Sequence, residues 1–78
     1  MEELIQKIVT DDIYKEALSK GIIISFEQTG SHKLNIAFEY DDFRTATPIY
    51  TDTHDIHGML LILHDRFVEW KRAQSLSN

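Results

Sequence analysis

The chain has no cysteine, one proline, three glycines and few bases: 8 Lys+Arg stand against 13 Asp+Glu in 78 residues, a formal charge of −5. Without thiols there is no disulfide framework, thiolate metal site or thiol nucleophile, which agrees with a reducing, cytoplasmic location. The deficit of positive charge speaks against direct nucleic-acid binding, whose affinity comes mainly from neutralising phosphates. Long apolar runs are missing too. The longest, Met59 to Leu63, falls far short of the ~20 residues a membrane span needs. The opening Met1-Glu2-Glu3-Leu4-Ile5-Gln6-Lys7 is acidic and interrupted where a secretory leader is basic and continuously apolar. No phosphate-loop, dinucleotide, HExxH or GxSxG motif occurs, and there is no internal repeat.

What is present is ordinary globular material, 42% hydrophobic and 27% charged, and enough for one domain. We place that domain at residues 1–73, with 74–78 as a polar C-terminal tail. Leu4, Ile5, Ile8 and Val9 form one helical stripe, and Ile13, Tyr14, Ala17 and Leu18 a second. On one continuous helix the two would point in opposite directions. Thr10-Asp11-Asp12 between them are N-cap residues, so the spacing predicts two short helices, or one kinked at Thr10. Lys20-Gly21 supplies the stop.

Two strands follow from period-two alternation. Ile22, Ile24 and Phe26 face one way, as do Leu34, Ile36, Phe38 and Tyr40, with Thr29-Gly30-Ser31-His32 as the hairpin loop and Gly30 free to take positive φ. Phe43 to Tyr50 is a weaker third strand, which Pro48 confines to an edge. In the last helix Ile56, Met59, Leu60, Leu63, Phe67 and Trp70 fall within about 100° of arc; Thr51-Asp52-Thr53 offer caps, and Asp55 suits the first turn. The expected fold is α+β, in the order α(α)ββ(β)α: an antiparallel two- to three-stranded meander with the long C-terminal helix packed on one face.

That element order is similar to the double-stranded-RNA-binding domain, and Gly30-Ser31-His32-Lys33 resembles that family's first hairpin loop. The family grips phosphates with lysines at the start of its last helix. Here the matching stretch is Thr51-Asp52-Thr53-His54-Asp55, which repels them.

Several clusters carry residue types that chemistry uses. His54 and His57, at i and i+3 beside Asp52 and Asp55, have the residue types of a metal site, but two histidines in one turn and a capping Asp are also commonplace, and no metal or other cofactor is assigned. His54-Asp55 and His64-Asp65 are the dipeptide of HD-type phosphohydrolases, whose larger all-helical domains and further ligands this chain lacks. The pairs Asp11-Asp12, Asp41-Asp42 and Asp52/Asp55 sit at caps and turns, where Asp belongs for local hydrogen bonding, so no catalytic residue and no enzyme activity is expected.

Two interaction surfaces remain. Glu39, Asp41, Asp42, Asp52 and Asp55 face only Arg44 among bases between Glu39 and Asp55, and are the expected partner-binding residues for a basic surface on another protein. His57, Leu61, His64 and Val68 recur along the last helix beside its core stripe and are candidates for a homodimer seam. The reading is a small, acidic, non-catalytic interaction module, an inhibitor or adaptor that contacts neither membrane nor nucleic acid. In size, charge and lack of motifs it looks like phage anti-CRISPR and DNA-mimic inhibitors. The alternative is an assembly subunit that dimerises through its C-terminal helix.

Overall fold

The structure, a computed structural model, describes residues 1–76. The first helical segment breaks where the capping residues stand. Helix α1 (Glu2–Val9) ends at Thr10, whose Oγ1 donates to the Gln6 carbonyl at 2.7 Å. Helix α2 (Asp12–Ser19) starts with Asp11 as N-cap, its carboxylate accepting from the Ile13 N–H at 2.8 Å. The α2 C-terminus is closed by two bonds, Ile22 N–H to the Ala17 carbonyl and Gly21 N–H to the Leu18 carbonyl. This is the Schellman pattern, and it holds Gly21 at φ +86°.

Strands β1 (Ile23–Gln28), β2 (Lys33–Tyr40) and β3 (Phe43–Tyr50) form one antiparallel sheet in the order β1-β2-β3. The third strand is fully regular, pairing with β2 from Lys33↔Tyr50 to Tyr40↔Phe43, and Pro48 stands on the free edge as its missing N–H requires. Positive φ falls on Asp41 (φ 50°) in the tight β2–β3 turn; Gly30, expected to take it, does not. The β1–β2 loop closes instead with the Thr29 N–H to Lys33 carbonyl bond and the Gln28 side-chain amide on the Gly30 carbonyl.

Helix α3 (Ile56–Leu76) begins with Asp55 as its cap, the carboxylate accepting from Gly58 N–H at 2.9 Å, so the cap is Asp55 and not Thr51 to Thr53. It runs to Leu76, so residues 74–76 of the expected tail are helical; positions 77 and 78 lie outside the described residues. α3 packs chiefly along β3, with α1 and α2 beside it. Leu34, Ile36 and Phe38 of β2 meet Ile8, Leu60, Leu63 and Ile49 in the core. Tyr40, Phe43, Phe67 and Trp70 close one end of that core, their ring centroids 5.2–6.2 Å apart.

A Cβ at Gly21 would meet Tyr40 at an ordinary 3.6 Å, so the cost of filling it is backbone strain alone. Gly21→Ala is expected to lower stability by about 1 kcal/mol, read from urea midpoints at unchanged slope; an unchanged midpoint contradicts the left-handed cap.

Candidate functional site

The five carboxylates expected to act together do not meet. Asp41 and Asp42 sit at the β2–β3 turn, whereas Asp52 and Asp55 follow β3 at its other end. Eight extended residues separate the two groups by about 24 Å, because a strand rises ~3.4 Å per residue. Glu39 lies near the first pair, but its carboxylate takes the Arg44 guanidinium at 3.0 Å, and Asp55 is spent on the α3 cap. Asp41, Asp42 and Asp52 remain exposed at the two ends of the sheet.

The helical strip His57, Leu61, His64 and Val68 is similarly divided. α2 lies alongside α3 and ties to it at both ends. His57 Nδ1 donates to Asp11 at 3.0 Å, and Lys20 Nζ lies 2.7 Å from Nε2 of the buried His64. An ammonium has only donors, so Nε2 is the acceptor in that bond. Val68 packs against the core, whereas Leu61, at 38% exposure, faces out with its neighbour Ile62, and the His57 ring stays exposed beside Asp11. The strip is therefore largely the seat of α2. The wheel puts His64 beside the core stripe, and α2 encloses it from there.

His54 and His57 do not gather a metal-ligand set: among the described residues no group of three or more His, Asp or Glu is placed to hold an ion. Every described Asp and Glu is exposed except Asp11 and Glu39, which are half-buried. The hollows on the helical side include two of several hundred Å³. The larger, about 640 Å³, is lined by α1 alone (Glu2, Glu3, Ile5, Gln6 and Lys7), and one short helix does not enclose a ligand. The second, about 460 Å³, has Phe67 and Val68 as floor and Lys20, Lys71 and Arg72 around it. Each of those cations already has a partner: His64 and Glu16 for Lys20, Tyr40 for Lys71, and Glu69 for Arg72.

Among the described residues, the surface that no helix covers is the outer face of the sheet. The register sets it out in rows: Ile23, Glu39 and Arg44 at one end; then Ser25, Ala37 and Ala46; then Glu27, Asn35 and Pro48; and last Lys33 beside Tyr50. Ile23 is 65% exposed and Tyr50 44%. On β3 both faces are mixed: Phe43 and the buried Ile49 turn inward beside two threonines, and Arg44 turns outward beside three apolar residues. Thr45 and Thr47 point toward the helices, Thr45 Oγ1 accepting from Arg66 Nη1 at 3.0 Å, while Ala46, Pro48 and Tyr50 face outward. Ile23 and Tyr50 stand on this face by alternation in the sequence alone. Ala46 and Pro48 join them only once β3 is a regular strand.

No helix among the described residues is long and apolar enough to cross a membrane. No family model matches the chain, and no curated protein and no solved structure matches it either.

The two α2 ties differ in burial, so their removal has unequal cost. Lys20→Ala leaves a buried imidazole nitrogen without its partner and is expected to cost about 1–2 kcal/mol. His57→Ala breaks an exposed contact and should cost no more than about 0.5 kcal/mol. Chemical denaturation of both variants checks the order, and equal losses contradict it.

Proposed function

We propose that the protein is a small, acidic, non-catalytic interaction module that binds another protein through the open face of its sheet. The observation that carries this reading is the exposed apolar run on an edge strand: beyond Arg44 every outward residue of β3, namely Ala46, Pro48 and Tyr50, is apolar and exposed, while Thr45 and Thr47 turn inward beside Phe43 and Ile49. A face that meets only water has no use for that arrangement, and exposed apolar residues grouped on one surface are a feature of contact surfaces.

The acidic character acts on this reading as a filter. A net charge of −5 disfavours nucleic acid and favours partners that are neutral or basic where they touch. The exposed Asp41-Asp42 turn borders one end of the open face and Asp52 the other, so each can meet a basic group at the edge of a bound partner. In this form the module is an inhibitor or adaptor that works by occupying a surface.

Photo-crosslinking tests the surface directly. With p-benzoylphenylalanine in place of Ala46, irradiation of cells that carry the protein is expected to give one discrete adduct. The adduct should be lost on Ile23→Asp and absent when the same probe replaces the exposed Asp12 of α2. Labelling of equal strength at both positions, or none at Ala46, overturns the assignment.

A further inference from the structure

We infer that the partner on this face is a second copy of the chain, the two sheets packing face to face about a two-fold axis that lies across the strands. The inference rests on the open-face reading above and adds the identity of the occupant. Its basis is the register. Such an axis reverses the order of the rows, so the first row of one copy lies over the last row of the other. On the central strand Glu39, whose Oε1 holds Arg44 and whose other oxygen is left to accept, then faces Lys33 of the second copy, and Lys33 faces Glu39 in return. On β3 Arg44 lies over the Tyr50 ring, where a guanidinium is attracted by the aromatic face, and Ala46 meets Pro48. The other in-plane axis, parallel to the strands, puts Glu39 against Glu39 and is disfavoured.

Charge supports the same occupant. Lys33 and Arg44 balance Glu27 and Glu39, so the open face is neutral and the whole formal −5 of the chain lies elsewhere. Two identical acidic molecules repel at most of their surface and are spared repulsion here. A two-fold contact uses the same patch on both sides, and this patch complements itself. Aligned packing of two sheets is an established geometry, with the strands of one within about 30° of the other.

The free edge of β3 is closed to the competing mode of self-association. Pro48 offers no N–H, and the Tyr50 N–H is bound by Thr53 Oγ1 at 3.0 Å, so a strand of a second copy finds few donors along it. The open face spans only about 14 × 24 Å from strand spacing and rise. That is small beside the ~800 Å² per partner of tight complexes, so the dimer should be weak and visible only as concentration rises.

The test uses the full chain in sedimentation equilibrium from about 20 μM to about 1 mM, a range that brackets a weak complex. Lys33→Glu and Glu39→Lys each place like charges together twice across the axis and should weaken the dimer at least ~10-fold. Mixing the two variants restores both pairs, and their heterodimer should return to within about 3-fold of the parent constant. Leu61→Asp on α3 should leave the dimer unchanged, and circular dichroism of each variant separates lost association from lost folding.

A monomer throughout that range overturns the inference, as does a dimer that survives both charge reversals or is lost on Leu61→Asp. The Ala46 adduct distinguishes this failure from failure of the open-face reading. An adduct with a protein of another mass removes the second copy and keeps the face, whereas no adduct at Ala46 removes both.

Discussion

Burial of one face of β2 is the constraint on which the rest of the molecule depends. Leu34, Ile36 and Phe38 are at most 2% exposed, and all three helices lie on their side of the sheet. A chain of 78 residues has little helix to spend: α1 and α2 are eight residues each, too short to hold together in water without packing. They persist because Leu4, Ile8 and Ala17 join the same core and because Asp11 and Lys20 bind histidines of α3. All three described helices are thus engaged on one face, and among the described residues none covers the other.

What occupies that open face has its own logic. The core does not dictate outward residues on β3, because the inward ones already satisfy it. Ile49 is fully buried, Phe43 joins the aromatic end, and Thr45 has Arg66 as its partner. Ala46, Pro48 and Tyr50 are therefore free of any packing requirement within the chain. Pro48 blunts the edge without polarising the face, which disfavours strand addition there.

The element order was legible because each boundary has a local cause. Asp11 caps α2, Gly21 stops it, and alternation in β2 separates Leu34, Ile36 and Phe38 from Lys33, Asn35, Ala37 and Glu39. The β3 strand was faint for the reason that makes it interesting: neither of its faces is consistently apolar, so period-two alternation has little to show. The misgrouped carboxylates follow from that faintness. Glu39 to Asp55 is one short acidic stretch along the sequence, and only a strand through its middle drives the two ends about 24 Å apart. The position of His64 was illegible for a different reason. A wheel shows where a residue points on its own helix, but its neighbour α2 arrives from 44 positions away in the chain, through Lys20.

The distribution of charge then becomes part of the architecture. Acidic groups crowd the turns and the solvent side of the helices, where each has water and none is needed for packing. At physiological salt their repulsion fades beyond about 8 Å, whereas ion pairs in contact are screened much less when partly buried. Long-range repulsion thus disfavours a disordered encounter between acidic molecules, and short-range complementarity decides which orientation remains. On this chain the neutral, exposed-apolar sheet face is where those two requirements are met together, because the strand register interleaves Lys33 and Arg44 with Glu27 and Glu39. The face opposite the buried side of β2 is thus also the one on which the chain's charges cancel.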